Sequence, residues 1–232
     1  MRSASALYHH CSYPVVLSRE VPKKSRQLAA ATKGNAFHQA IAAWGMRGEL
    51  PGDGAIRTWV EGVASWWTPP TGAMFEFPLG LGRSGRYVPV REVEPHVYVA
   101  TAPAEPLLTA GRADVVWLRV EGDRRIATVL DWKTGKYPSP SPAENLQLTA
   151  LALAAASMLQ ADEFERMLVY VQDMRVDADI SPVVLDSDEG ADAWAMVERA
   201  AKMDESPRPG SHCADCWEAR LKRCSFAAKA AA

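Results

Sequence analysis

GRADVVWLRV (111–120) and RRIATVLDWK (124–133), separated by Glu121-Gly122-Asp123, decide the fold of this chain. Both runs are rich in Val, Ile and Trp, which fit a pleated, half-buried surface. The Gly-Asp pair between them is a turn signal, so the two runs read as a β-hairpin. Asp114 lies in the first strand, Asp131 at the end of the second, and Lys133 two residues further on. Side chains two apart on a strand share a face. Asp131 and Lys133 therefore point the same way, and strand pairing brings Asp114 beside them.

Outward from the hairpin, AMFEFPLG (73–80) and HVYVAT (96–101) are shorter β-like runs with a Gly/Arg-rich turn region between them. Upstream, residues 28–47 are Ala-rich and favour a helix, in which Gly34 costs about 1 kcal/mol relative to Ala. Residues 48–54 break it, and a second helix over 55–67 ends before Pro69-Pro70. Residues 12–27 read as a connection and 3–11 as a short helix capped by Ser3 or Ser5. Downstream, a proline-rich loop precedes Ser141-Pro142-Ala143-Glu144, a capping box with proline at the first helical position. It predicts a helix from Ser141 to about Met158. Strands follow at 166–173 and 181–186, then a helix over 188–203 and a cysteine-rich tail. The order gives an α/β fold with a mixed central β-sheet flanked by helices. No internal repeat is visible.

Two carboxylates close together repel unless a cation sits between them. Hard oxygen ligands suit Mg²⁺ or Mn²⁺. A lysine beside such an ion orients the attacking water and stabilises charge on a phosphate, the equipment of metal-assisted phosphodiester hydrolysis. Taken alone, the Asp-x-Lys triplet reads as a surface ion pair. Its neighbours change that.

The 232 residues allow one sizeable core, and 48% hydrophobic with 23% charged residues is ordinary globular composition. A net charge of −2 leaves any nucleic-acid contact to local clusters. No run of about 18 apolar residues predicts a membrane helix, and no apolar run of signal-peptide kind opens the chain. A cytoplasmic protein with no membrane partner is expected. In a reducing compartment Cys11, Cys213, Cys216 and Cys224 are free or metal-bound rather than disulfide-bonded. Cys213-x₂-Cys216 is a compact ligand pair with Cys224 seven residues beyond it, and thiolates in this number suit zinc or an iron–sulfur cluster.

Four pieces in order, Gly34-Asn35-Ala36-Phe37-His38, Gly111-Arg112-Ala113-Asp114, Asp131-Trp132-Lys133-Thr134-Gly135 and Gln147, resemble the PD-(D/E)XK nuclease superfamily, in particular its RecB-like branch. The resemblance implies a restriction-endonuclease-like core. Asp114 and Asp131 would be metal ligands, and His38 would complete the shell from the first helix. Lys133 would position the nucleophilic water, and Gln147 would reach toward the site or the DNA. Gly34, four residues before His38, lies on the same helical face and lets that helix approach closely. Where the family helix often has tyrosine four residues after the glutamine, this chain has Leu151. Glu76, on the first strand, is a candidate accessory ligand, although a strand glutamate is more often solvated.

The cysteines resemble those of AddB-type and CRISPR adaptation nucleases, in which one cysteine precedes the core and three follow it around a [4Fe–4S] cluster. The seven-residue second gap is slightly longer than that family's, which implies a bulged loop around the cluster or, as the alternative, Zn²⁺. Such a cluster would clip residues 1–27 to 204–232 across a core of about 28–186, making 1–232 one nuclease domain with a terminal cysteine-bound metal cluster.

Basic residues at Lys23, Lys24, Arg26 and Lys33, at Arg83, Arg86 and Arg91, and at Arg220, Lys222 and Arg223 are candidate phosphate contacts, each equally readable as a solvated face. Trp66, Trp67 and Trp132 are candidate base-stacking residues, though Trp132 faces away from the acids and reads better as core. The expectation is a Mg²⁺- or Mn²⁺-dependent DNA exonuclease on single- or double-stranded DNA, alone or with a helicase or recombination/adaptation partner, its oligomeric state open. The rivals are a catalytically silent DNA-end-binding or assembly subunit, for which an alanine at Asp114, Asp131 or Lys133 would speak, and a zinc-bound interaction module.

Overall fold

The computed structural model describes residues 25–102, 105–134, 140–172 and 175–202, with side chains from residue 32 onward. The expected 3–11 helix and all four cysteines lie outside the described residues. In chain order the elements are α1 (Ser25–Arg47), α2 (Ala55–Trp66), β1 (Met74–Gly82), β2 (Tyr87–Val88), β3 (Val90–Glu94), β4 (Val97–Ala100), β5 (Leu107–Glu121), β6 (Arg124–Lys133), α3 (Leu146–Leu159), β7 (Glu163–Gln172), β8 (Arg175–Val184) and α4 (Asp188–Lys202).

The expected hairpin is the centre of the molecule. β5 and β6 pair antiparallel from Val115↔Leu130 to Glu121↔Arg124. Gly122 in the turn takes a φ of +62°, which glycine adopts without steric cost. Six strands form one sheet in the order β2-β1-β5-β6-β7-β8, and β3 with β4 forms a separate two-stranded ribbon. Neighbours in the large sheet are antiparallel except β6 and β7. That parallel pair needs a crossover, and α3 supplies it.

Helices cover both faces. On one, Leu79, Leu81, Ala127, Val129, Phe164 and Leu168 pack under α3 and under Ala193 and Val197 of α4. α3 lies between sheet and α4, which is why it is apolar on nearly every side. On the other face, Phe37, Ile41 and Ala42 of α1 and Trp59, Val60 and Val63 of α2 meet Val115, Trp117, Leu130, Trp132, Met167 and Val169. Each such buried large side chain stabilises the fold by about 1.5–3 kcal/mol.

Local chemistry corrects several boundaries. The Ser141-Glu144 box does not cap α3. The Ser141 hydroxyl donates to the Glu144 carboxylate at 2.9 Å and the segment closes as a turn, in which the Glu144 N–H reaches the Ser141 carbonyl at 3.0 Å. With that hydroxyl turned to a side chain, the cap passes to Asn145, which accepts from the Leu148 N–H at 3.1 Å. β2 and β3 fall inside the expected turn region, and α1 begins within the expected 12–27 connection. β8 starts six residues before its expected strand, because Asp177 and Asp179 sit exposed on the sheet edge rather than ending it. Trp67 is not a free stacking surface. It packs edge-on to Trp132 at 5.6 Å and tilted against Trp117 at 6.2 Å, whereas Trp66 is 41% exposed.

Candidate metal centre

The β5–β6 ladder stops at Val115↔Leu130, one residue short of the acids. Asp114 takes the next place with its side chain: its Oδ2 accepts a hydrogen bond from the Trp132 N–H at 2.7 Å. The alternation of both neighbouring strands slips at the same level. Along β1, Phe75 packs on the α1/α2 face but Phe77, Leu79 and Leu81 on the α3 face. Along β5, Ala113 packs on the α3 face but Val115 and Trp117 on the other. Residues two apart in a regular strand stay on one side, so Glu76 and Asp114 are where the two strands turn over. They sit in register between Phe75↔Val115 and Phe77↔Ala113, and Glu76 carries a φ of +50°. A non-glycine residue held there costs about 1–3 kcal/mol, a strain that recurs at functional sites.

His38 arrives from α1. Its Nδ1 lies 3.1 Å from Asp114 Oδ1 and 3.8 Å from Glu76 Oε1. α1 comes this close because of Gly34: a Cβ there would stand 3.2 Å from the Thr134 hydroxyl at the end of β6. Asp131 follows Ala127 and Val129 on the α3 face and pairs with Lys133. Asp131, Asp114 and Arg112 line a cleft with Gln147, Leu148 and Leu151 of α3. Leu151, where the resembling family often has tyrosine, contributes an apolar wall.

The electrostatics are those of a site suited to a cation. Burial, and after it the Asp114 charge, push the Asp131 carboxyl up to about 6 against the pull of Lys133. Burial and the Asp114 charge also hold Glu76 above its ordinary value, partly offset by Arg112. Burial pulls the His38 imidazole down, but its hydrogen bond to Asp114 and the surrounding carboxylates outweigh that and raise it. Burial likewise opposes the Lys133 ammonium, and Asp131 more than restores it. Each group is perturbed by its neighbours' charges, as groups at functional sites are.

Hard carboxylate oxygens with one imidazole fit a Mg²⁺- or Mn²⁺-type ion. One donor atom each from His38, Glu76 and Asp114 lie within 4.8 Å of one another. Of the residues singled out from sequence, His38, Asp114, Asp131, Lys133 and Gln147 come together here, and Glu76 stands closer to the imidazole than its strand position suggested. Its signal was the lone acid in an otherwise apolar β1. The four cysteines, Lys23, Lys24, Arg220, Lys222 and Arg223 lie outside the described residues. Arg83, Arg86 and Arg91 are exposed, and Lys33 stacks on the Trp59 ring at 4.0 Å. No helix among the described residues is long and apolar enough to cross a membrane.

No curated protein matches the chain in sequence. The crystal structure of SSO0001 is similar to it at 18% identity and a TM-score of 0.33, over 71% of this chain and 66% of that one, so the chain spans just under two thirds of that structure's length. The family model of the PD-(D/E)XK nuclease superfamily matches residues 3–224, nearly the whole sequence. Mixed sheet, flanking helices and a match of that extent agree, and the chain belongs to the PD-(D/E)XK nuclease superfamily.

Proposed function

We propose that this nuclease is a RecB-like deoxyribonuclease that hydrolyses DNA phosphodiester bonds from an end, as one domain over 1–232 with its core at about 28–186. The observation that carries the reading is the meeting of Asp114, Asp131 and Gln147 in one cleft, with Lys133 paired to Asp131 and His38 bonded to Asp114. His38, Asp114 and Asp131 would hold Mg²⁺ or Mn²⁺. When bound, such an ion polarises a phosphoryl oxygen and lowers the pKa of water.

The remaining work falls to side chains. Asp131, which lines the cleft, holds the Lys133 ammonium charged beside it, where it orients the attacking water and stabilises charge growing on the phosphate. Gln147, at the first turn of α3, offers an amide to the bound strand. Leu148 and Leu151 keep the cleft wall apolar and limit competing water. Cys11, Cys213, Cys216 and Cys224 would hold a [4Fe–4S] cluster or Zn²⁺ that joins the chain termini, so that metal binding is coupled to folding. Protein purified without oxygen distinguishes these two: the iron–sulfur form absorbs near about 400 nm, and the zinc form is colourless.

The test is cleavage of linear and circular DNA, single- and double-stranded, with Mg²⁺, Mn²⁺ or EDTA, comparing the wild type with Lys133→Ala. Metal-dependent cutting of linear DNA only, lost in the variant, is expected. Cutting of circles removes the exonuclease assignment. A folded, metal-loaded wild type that cuts nothing moves the silent DNA-end-binding subunit ahead.

A further inference from the structure

Glu76 is one end of an unbroken chain of polar contacts running from the β3–β4 ribbon to the metal centre. The His96 N–H donates to Glu92 Oε1 at 2.8 Å. Glu92 Oε2 accepts from the Arg112 Nη1 at 3.2 Å, and Arg112 Nε lies 2.8 Å from Glu76 Oε2. The guanidinium thus spans two carboxylates through different nitrogens. A planar fork used this way holds the two carboxylates at fixed positions on either side of one rigid group. Glu76 Oε1 is left facing inward, 3.8 Å from His38 Nδ1. On the far side, His38 and the Trp132 N–H hold the two oxygens of Asp114.

This arrangement goes beyond a cluster of acids. Glu76 stands in register with Asp114, and a carboxylate turned toward a second carboxylate in a partly buried site is unfavourable unless a cation joins them. Arg112, which also lines the cleft, offsets that repulsion only in part. It binds Glu76 from behind, on the oxygen that faces away from His38. The strain at Glu76 serves the same end, since its φ of +50° is what brings the side chain of a β1 residue to this point.

We propose that Glu76 is a further ligand of the catalytic ion and that Arg112, braced by Glu92, is the positioning residue that presents it. The proposal rests on the metal-centre reading above. Ligands are supplied by α1, β1, β5 and β6, so the ion fastens the helix to three adjacent strands. Arg112 and Glu92 act as the outer partners that orient a ligand, as carboxylates do for metal-binding histidines. The β3–β4 ribbon has few buried apolar residues, and in this reading its contribution to the site is Glu92.

The test is Mn²⁺ binding by the full chain, measured by titration calorimetry, together with the number of water ligands on bound Mn²⁺ read from ¹⁷O-water line broadening. Glu76→Gln should weaken binding by about 10–100-fold, the scale of losing a metal-site partner, and should add one water to the ion. Arg112→Gln should weaken it less, and Arg112→Lys should recover part of the loss. Glu92→Gln, remote from the ion, should show the smallest loss in the same direction and keeps the test available if a Glu76 variant fails to fold. Asp114→Asn should abolish binding. If Asp114→Asn abolishes it while Glu76→Gln and Glu92→Gln bind Mn²⁺ with wild-type affinity and an unchanged water count, the proposal is overturned and the metal-centre reading stands. If Asp114→Asn also binds like wild type, the metal-centre reading itself falls and takes the proposal with it.

Discussion

The carboxylate of Asp114 accepts the backbone N–H of Trp132 at 2.7 Å. A side chain thus replaces a rung of the sheet ladder, and the two strands separate where a metal site needs room. Asp114 carries two duties, one per oxygen: Oδ2 closes the sheet and Oδ1 faces His38. Substitutions should separate them. Asp114→Asn keeps an acceptor for Trp132 and should melt within a few degrees of wild type, while losing Mn²⁺ binding. Asp114→Ala leaves a buried N–H without a partner and should cost about 1–3 kcal/mol in addition. Equal urea midpoints for the two variants would mean that the Trp132 contact contributes nothing to the fold.

Asp131 makes stability depend on pH in a direction opposite to that of an ordinary salt-bridged acid. Its folded value is pushed up to about 6, first by burial and then by Asp114, against Lys133. An unfolded aspartate titrates near about 3.9. The folded state therefore binds this proton more tightly. The stabilisation is complete below about 4 and is lost as pH rises through about 6. Metal-free Asp131→Asn protein should then be more stable than wild type at pH 8, by about 1–3 kcal/mol from a shift of this size. The gap should narrow steadily toward pH 5. Melting curves in EDTA at several pH values decide it, and a gap that does not change with pH removes Asp131 as the cause.

Much of this site was readable in the sequence because its chemistry is local. Asp131, Trp132 and Lys133 alternate along one strand, so period-2 geometry alone separates the catalytic candidates from the buried tryptophan. The hairpin was readable for the same reason. Of the two ribbon strands, β4 was readable as the run 96–101, but β3 was not, because only Val90 among its residues is buried and a solvated strand leaves little apolar pattern. The closeness of Glu76 to His38 was hidden too, since it depends on β1 turning over at a positive φ that no neighbouring glycine announces. The capping box misled because hydroxyl and carboxylate bonded each other instead of the helix end.

Trp132 bears a cost that a substitution exposes. Its indole Nε1 is buried with no hydrogen-bond partner among the described residues, and the ring stacks edge-on with Phe37 and Trp67. Trp132→Phe removes the unsatisfied donor while keeping most of the aromatic contact. The two effects oppose, and stability should change by less than about 1.5 kcal/mol. Trp132→Ala, which opens a cavity between α1, α2 and the sheet, should cost about 3–5 kcal/mol. Denaturant unfolding of both variants checks the contrast. A Phe variant as unstable as the Ala variant would show that the indole nitrogen has a partner in solution.

Arg166 is 2% exposed on β7 and holds the approach to α3 in place. It donates to the Ala143 carbonyl at 3.2 Å, to the Thr149 hydroxyl at 3.1 Å and to the Ser181 hydroxyl at 2.8 Å. One guanidinium thus ties the turn before α3, α3 itself and β8 together, its contact on α3 being Thr149, two residues beyond Gln147. Burial lowers its pKa, and Glu189 offsets this only in part from 3.8 Å, itself 62% exposed. The hydrogen bonds, rather than the ion pair, should therefore carry its effect. Arg166→Met removes the donor shared by these three acceptors and should destabilise by about 2–4 kcal/mol. Arg166→Lys should recover little, because an ammonium cannot reach three directions with a planar fork. Glu189→Ala should stay within about 0.5 kcal/mol, as exposed ion pairs do. Urea unfolding of the three variants separates the two accounts. A Glu189→Ala loss as large as that of Arg166→Met would make the ion pair the dominant contact and refute this ranking.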